Sequence, residues 1–296
     1  MTGGPARNRV GNNGRSLALL FAATGLWGAS SALIAYIGAD GFLALPVAAG
    51  GGAALLGFAL LTGGNPWRDF RAAPGLFLRL GVLEVLNLAL YVAALKIGPL
   101  PVVVALHLTA PVLLIVDRIV RGRRALNVTV GLELLLVAVA IGLVAGHPPG
   151  GSAPAPALAG CLLALASAGC VAALITLVVR ESAVRPAVTA AGLQLVMAAA
   201  LGAPLLGLAV TIWPAPAAAD FAALVAIGAL LLGPGFACYW PALRDLDEVT
   251  AGLVGLNEAV AASLLGALLV GSDITAPTLS AGALVLIAVA VEVWNN

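Results

Sequence analysis

The feature of the sequence that most restricts its fold is a succession of long apolar runs that contain almost no charged side chains. Only 9% of the 296 residues are charged, whereas a soluble domain usually devotes about a quarter of its residues to charge. A helix that crosses the hydrocarbon core of a bilayer needs about 20 mostly apolar residues, and the runs have this length. A barrel would instead show strands of about 10 residues in which polar and apolar side chains alternate. We therefore expect an all-α polytopic membrane protein.

Polar residues and clusters of Gly and Pro divide the apolar sequence into ten candidate transmembrane helices. Their predicted limits are 17–37, 41–62, 75–95, 101–120, 127–146, 156–179, 186–212, 221–242, 249–269 and 276–294. A secretory signal is a second interpretation of the first span, because basic residues precede it. The apolar run continues as far as Ile37 without the short core of a signal peptide, so we interpret it as a span.

The distribution of basic residues predicts the orientation, because short cytoplasmic loops are enriched in Lys and Arg. The arginines all fall on one side of the ten-span model, in the predicted tail, 1–16, and in or beside the loops after spans two, four, six and eight. They are Arg7, Arg9, Arg15, Arg68, Arg71, Arg79, Arg118, Arg121, Arg123, Arg124, Arg180, Arg185 and Arg244. Only Lys96 lies on the other side. We expect a protein of the cytoplasmic (inner) membrane with both termini in the cytoplasm.

An internal repeat divides the chain into two halves. The segment ALYVAAL at 89–95 returns as ACYWPAL at 237–243, 148 residues later, with four of seven positions identical. Each unit contains five spans, so the second unit enters the membrane from the opposite face and is inverted. We expect a first five-helix repeat at 17–146, an external linker at 147–155 and a second five-helix repeat at 156–296. Inverted repeats are typical of secondary transporters, whose substrate site lies near the middle of the membrane between the halves.

Four short motifs give the sequence a family resemblance. They are Trp27-Gly28 in span one, Ala94-Leu95-Lys96 after span three, the segment ALHLTAP at 105–111 in span four, and Asn257-Glu258-Ala259 in span nine. With this order and spacing the chain resembles the drug/metabolite transporter superfamily, in particular its ten-span EamA-type exporters. The family often has Glu-Pro in span nine, where this chain has Ala259. The resemblance is greatest to the exporters of threonine and homoserine or of aromatic amino acids, and it implies export of such substrates.

Ionisable residues inside a span are costly to insert, and the default interpretation of them is functional. Glu84 lies near the middle of span three and Glu258, beside Asn257, near the middle of span nine. Asn87 and Tyr91 follow Glu84 by three and seven residues, so the three side chains share one helix face. We expect these groups to line a substrate path, the alternative being hydrogen bonds that hold helices together.

Helix-breaking residues mark two further candidate sites. His107 precedes Pro111 by one turn in span four, and Pro commonly bends a helix. Gly233-Pro234-Gly235 in span eight falls opposite 85–87 of span three under the repeat, and an interrupted helix there would free backbone groups for a zwitterion. A packing role for His107 and a simple kink at Pro234 are the alternatives.

Aromatic and hydroxyl side chains complete the predicted substrate site. Trp27, Ser30 and Ser31 in span one and Tyr239 and Trp240 in span eight offer surfaces suited to amino-acid side chains, although packing would also explain them. The predicted substrate-binding residues are Trp27, Ser30, Glu84, Asn87, Tyr91, His107, Pro111, Gly233, Pro234, Gly235, Tyr239, Asn257 and Glu258.

Other polar residues have structural interpretations. Cys161, Cys170 and Cys238 form no paired motif, which argues against disulfides and a zinc site. Asp117 is expected to pair with Arg121 one turn later. Glu133 lies less than two turns into span five and is expected to reach the lipid headgroups. Glu292 lies near the carboxy-terminal end and has no predicted role in transport.

The favoured function is a secondary transporter that exports small metabolites, most specifically amino acids, by alternating access. A channel, scaffold or receptor is the alternative. An intramembrane enzyme is disfavoured because the sequence lacks a nucleophile motif and paired acids, and no catalytic residue is predicted. We expect no cofactor, metal or nucleic acid; the partners are the substrate and the lipid bilayer, in a monomer or homodimer. Facilitated diffusion is favoured slightly over proton coupling through Glu84, Glu258 or His107.

Overall fold

The structure is a computed structural model that describes residues 6–37, 45–97, 106–146, 158–212, 217–270 and 276–295. Regular structure in these residues is helical, without strands. The predicted external linker, 147–155, lies outside the described residues, as do 41–44 of the second predicted span and 101–105 of the fourth. The predicted tail is already helical from Ala6.

The described residues form twelve helices, and helical segments lie over each of the ten predicted spans. The helices are α1, Ala6–Ile37; α2, Leu45–Leu61; α3, Pro66–Ala72; α4, Pro74–Ile97; α5, Ala110–Val120; α6, Val128–Gly146; α7, Leu158–Ser182; α8, Ala187–Ile212; α9, Ala218–Ala242; α10, Glu248–Gly255; α11, Asn257–Val270; and α12, Ala276–Asn295. Helices of this kind satisfy their own backbone hydrogen bonds, as a bilayer requires.

Five of the described helices are each long and apolar enough to cross a membrane. The stretches concerned are Gly14–Ile34, Pro74–Ala94, Ala159–Ser182, Ala187–Leu208 and Ala218–Ala242. A sixth crossing results if α2 and α3 are taken together, although the two helices meet at 108°. The described part of the chain is therefore an all-helical bundle with five or six candidate membrane-spanning helices.

The helices over predicted spans four and nine are both broken. A turn at Leu108 and Thr109 precedes α5, which begins one residue before Pro111. Predicted span nine is not the continuous helix we expected, because a turn at Leu256 separates α10 from α11. This second break forms without proline: the N–H of Leu256 bonds to the carbonyl of Leu253, a tighter i to i−3 contact. The 148-residue offset of the repeat pairs Leu108 with Leu256.

The predicted interruption of span eight is wrong. α9 continues through Gly233-Pro234-Gly235, and the residues before it form a π turn, Gly228–Leu232. Pro234 has no N–H to donate, and the helix accommodates it by widening, since the N–H of Gly233 bonds to the carbonyl of Gly228, five residues back. The helix therefore leaves no pair of open half-helix ends to bind a zwitterion.

Small residues bring α2 very close to α9. A Cβ built on Gly50 would lie 2.1 Å from the carbonyl oxygen of Val225, and one on Gly228 would lie 1.9 Å from that of Val47. Backbone contact of this kind is how helices associate in lipid, where apolar side chains alone give little driving force. The contact holds α9 against α2.

Candidate functional site: a central polar cavity

A cavity of about 370 Å³ lies in the middle of the bundle. Its walls come from both halves of the chain, with side chains from α1, α2, α4, α5 and α7 to α11. Eight of the predicted site residues line it: Trp27, Ser30, Glu84, Asn87, His107, Pro111, Tyr239 and Glu258. The volume falls in the range of small-molecule sites, and the lining combines a mostly apolar surface with a few polar groups, as such sites do.

Glu84 is held on α4 by a side chain of α8. The amide nitrogen of Gln194 donates to Glu84 Oε2 at 3.1 Å, and its amide oxygen accepts from Trp240 Nε1 at 3.0 Å. Gln194 is buried, so both bonds are sheltered from water. Glu84 has no ion-pair partner among the described residues, and a cation in the cavity would supply one.

Asn87 and His107 are joined through Ser167 of α7. The Ser167 hydroxyl donates to Asn87 Oδ1 at 2.7 Å and lies 2.9 Å from His107 Nδ1. A hydroxyl carries one proton, so with Asn87 as its acceptor the bond from His107 is donated by Nδ1–H. The neutral ring then has its unprotonated Nε2 free to accept. Tyr91 stacks on the imidazole, with ring centroids 4.3 Å apart, and contributes to the site through His107.

Glu258 and Asn257 fasten α11 to α1. Ser31 Oγ donates to Glu258 Oε1 at 3.2 Å, and Asn257 Nδ2 donates to Thr24 Oγ1 at 3.0 Å. Glu258 lines the cavity, whereas Asn257 faces the packing between the two helices. The structure thus places one carboxylate on each side of the cavity, Glu84 from the first half of the chain and Glu258 from the second.

Two buried polar groups beside these carboxylates have no hydrogen-bond partner. They are Trp27 Nε1 and Ser30 Oγ, and they are the buried side-chain polar atoms without a partner in the described residues. Both residues line the cavity, one helical turn apart on α1. The two atoms themselves are shielded from the open space of the cavity, and Trp27 Nε1 packs against Gly235. Buried polar groups are nearly always satisfied, so these two donors would gain a partner if their side chains turned toward the cavity.

The aromatic rings predicted to face the substrate form one cluster. The ring centroid of Trp27 lies 4.8 Å from that of Phe236 and 5.0 Å from that of Tyr239. Gly235 makes the approach possible, because a Cβ there would lie 2.5 Å from Trp27 Nε1. Gly233 instead packs against the backbone of Gly51. Five predicted site residues are thus absent from the cavity wall: Tyr91, Gly233, Pro234, Gly235 and Asn257.

Sequence reasoning missed three residues of the site. Gln194, Ser167 and Thr24 each bond a predicted residue, and each is fully or almost fully buried. A glutamine within an apolar run was a usable signal, since a buried amide must find partners. Ser167 and Thr24 gave none, because Ser and Thr are common packing residues in membrane helices.

A second polar cluster, of Arg124, Glu133 and Glu292, corrects the interpretation of Glu133. Both side chains are fully buried, and Arg124 bonds them together, with Nη2 2.8 Å from Glu133 Oε2 and 2.6 Å from Glu292 Oε2. Glu133 therefore turns into the bundle and does not reach the headgroups. A buried carboxylate needs a cationic partner more than it needs proximity to the surface. The predicted Asp117–Arg121 pair is confirmed, at 2.7 Å.

Comparison with known proteins identifies the fold but no relative of known activity. No family model matches the chain, and no curated protein matches it. Among the solved structures that do match, one described only as "Crystal structure of protein" covers 95% of this chain and 96% of that chain, with a TM-score of 0.76 and 22% identity. The fold and the cavity define the chain as an all-helical bundle with candidate membrane-spanning helices around a cavity that contains polar groups. The likeness shows that this fold is shared with a solved structure over almost the whole chain.

Proposed function

We propose that the chain is a ten-span secondary transporter of the cytoplasmic membrane, built from two inverted five-helix repeats, which exports amino acids by alternating access. Glu84 and Glu258 carry this proposal, because both line the cavity and neither has a cationic partner among the described residues. An amino acid carries a carboxylate, which accepts hydrogen bonds, and an ammonium group, which donates them. Glu84 and Glu258 supply acceptors for the ammonium group, and the unpartnered donors of Trp27 and Ser30 would reach the carboxylate once their side chains turn toward the cavity.

The packing of the helices supports the repeat. The repeat relates spans one to five to spans six to ten, in order. The contact of α1 with α9 joins spans one and eight, and its counterpart under the repeat is the contact of α7 with α4, which joins spans six and three. The same operation exchanges the contact of α2 with α9 for that of α4 with α8. It also converts the contacts of α2 with α8 and of α6 with α12 into themselves. A chain of two related halves around a pseudo-two-fold axis has this pattern.

The chemistry of the cavity favours a zwitterion over a purely apolar substrate. Two carboxylates without cationic partners in the described residues would be costly to keep in an apolar site for a ligand that leaves them unpaired. The aromatic cluster of Trp27, Phe236 and Tyr239 adds an apolar wall on which an aromatic or aliphatic side chain packs. This arrangement fits the aromatic amino acids and threonine that the family resemblance implies.

The proposal is tested by efflux from proteoliposomes loaded with single amino acids. We expect saturable efflux and counterflow, which a channel does not show. Trp27→Phe and Ser30→Ala each remove one donor and should raise the substrate KM about tenfold, the cost of one hydrogen bond to a charged group. The matched controls change two exposed side chains, Trp67→Phe on α3 and Ser280→Ala on α12, and they should not change transport. Absence of efflux of every amino acid, with both controls inserted normally, would contradict the proposal.

A further inference from the structure

A second cavity lies at the end of the bundle where the arginines collect, and it shares no lining residue with the central one. Its volume is about 340 Å³, and it opens between the end of α5, the end of α7 and the start of α10. The polar side chains that line it include Arg118, Arg121, Arg123, Thr176, Arg180 and Glu248. Four guanidinium groups and two carboxylates, Asp117 and Glu248, line this cavity, so its lining has an excess of positive charge.

Two of the four arginines are already neutralised by the protein. Arg121 pairs with Asp117 at 2.7 Å. Arg118 pairs with Glu248 and, at 3.0 Å, with Asp247. These two side chains therefore need no further anion.

Arg123 and Arg180 have no carboxylate partner among the described residues. Arg123 lies in the loop that follows α5, and Arg180 lies in the last turn of α7. The two residues come from different helical hairpins of the fold, so their meeting at one cavity does not follow from their positions in sequence. Thr176, one turn before Arg180, adds a hydroxyl to the same wall.

The geometry points to a site for a phosphate group in this cavity, bound by Arg123 and Arg180. Thr176 Oγ1 already donates to the carbonyl of Ala172 at 2.9 Å, so the two guanidinium groups supply the donors. The planar guanidinium group matches phosphate oxygens with two parallel hydrogen bonds, and two such groups balance the charge of a phosphate monoester or exceed that of a diester. Basic pockets next to membrane helices on the cytoplasmic side also bind lipid head groups. Free phosphate compounds and anionic phospholipids share this chemistry.

Neighbouring apolar side chains show how a phospholipid would fit. Val116 and Val120 on α5 are 44% and 80% exposed, and they adjoin Asp117 and Arg121 on the helix surface. Acyl chains packed on these valines would leave the phosphate at the mouth of the arginine cavity. Free phosphate would use the cavity alone.

The test measures thermal unfolding of the full chain, purified in detergent, at constant ionic strength. One arm adds inorganic phosphate, and the other adds short-chain phosphatidylglycerol with phosphatidylcholine as the neutral lipid. We expect a saturable rise in Tm with at least one phosphate source and none with phosphatidylcholine. A response to inorganic phosphate identifies a soluble ligand, and a response to phosphatidylglycerol alone identifies a lipid.

Variants then assign the response to the cavity. Arg123→Gln and Arg180→Gln should each raise the half-saturating concentration of the phosphate compound about tenfold, which is the loss of affinity expected for one charge-assisted hydrogen bond. Arg15→Gln with Arg68→Gln removes two positive charges elsewhere at the arginine-rich end and should leave it unchanged. Arg123 lies exposed in a loop, so its variant keeps the test valid if Arg180→Gln fails to fold. No response to either source, or equal weakening in the control pair, would overturn the site.

Discussion

At the scale of single residues, the central cavity is organised by side chains that bond each other across helices. Gln194 is the clearest case, because one amide serves Glu84 on α4 and Trp240 on α9 at the same time. An amide side chain donates through its nitrogen and accepts through its oxygen, so one glutamine can serve both partners. Gln194 thereby fixes the orientation of Glu84 on the cavity wall.

Gln194→Leu is expected to destabilise the protein by about 1 to 3 kcal/mol, because it leaves Trp240 Nε1 and Glu84 Oε2 buried without partners. Trp240→Phe removes the indole donor from the same network. In the double variant the loss of stability should be smaller than the sum of the two single losses. Trp240→Phe removes the indole N–H that Gln194→Leu would otherwise leave without a partner. The measurement is thermal or denaturant unfolding of all four proteins in detergent. Strict additivity would show that the Gln194–Trp240 bond contributes nothing.

Glu84 and Glu258 also decide between the two modes of energy coupling. Gln keeps the size and the hydrogen bonding of Glu but cannot ionise. For uncoupled export, which we favour, Glu84→Gln and Glu258→Gln should weaken substrate binding through the lost charge and leave the response to a pH gradient unchanged. For proton-driven export they should abolish efflux driven by a pH gradient while counterflow persists. Proteoliposome efflux with and without the gradient separates the two outcomes.

Among the helices, α5 and α10 close the arginine-rich end beneath the cavity. Arg118 on α5 bonds Asp247 and Glu248 at the start of α10, and a Cβ on Gly252 would lie 3.0 Å from Leu114. α5 begins just after the break at Leu108 and Thr109, and α10 ends just before the break at Leu256. The ion pair therefore links the two elements that would have to separate to open the cavity on this side.

Arg118→Gln is expected to expose the cavity at the arginine-rich end. The pair is partly exposed, so we attribute about 1 kcal/mol to it after solvent screening, which corresponds to about a fivefold change in the open population. A cysteine at Gly255, where a Cβ meets nothing within 4 Å, reports access when Cys161, Cys170 and Cys238 are replaced. Labelling of inside-out vesicles with an impermeant thiol reagent should rise about fivefold.

Arg121→Gln is the matched control, because its pair with Asp117 lies within one helical turn and joins no two elements. It removes the same charge one turn away and should leave the labelling of the Gly255→Cys protein unchanged. Equal labelling of both variants would mean that access depends on local charge rather than on the link between α5 and α10.

The sequence predicts the helices well and the contacts between them poorly. The limits 75–95 and 186–212 fall within two residues of α4 and α8, because apolar runs determine where a chain can enter a membrane. The pairing of Glu133 with Arg124 and Glu292 depends on how α6 and α12 rotate against each other, and no local pattern reports that. The same holds for the π turn before Pro234, which a proline alone does not distinguish from a break.

For the whole molecule, the central question is which side of the membrane each end of the bundle faces. Residues Ser16 and Asp245 bond at 2.9 Å, and Arg244 bonds the carbonyl of Ser182 at 2.9 Å. These contacts bring the beginning of the first predicted span, the end of the sixth and the end of the eighth together at the same end of the bundle. Two described arginines that make ion pairs to other helices are Arg118, in the last turn of α5, and Arg124, in the loop after it, and the sequence assigns both to that same side.

The last prediction is that this side is cytoplasmic and that the linker at 147–155 is external. In a background without Cys161, Cys170 and Cys238, a cysteine at Ser152 should react with an impermeant maleimide in intact cells, and one at Ala125 should react only after the cells are opened. The physical reason is that translocating a short loop rich in arginine is unfavourable, so the 121–127 loop stays inside while the uncharged linker crosses. Reaction at Ser152 from the cytoplasm alone would require an even number of spans before it. That result would remove the odd number on which the inversion of the second repeat depends.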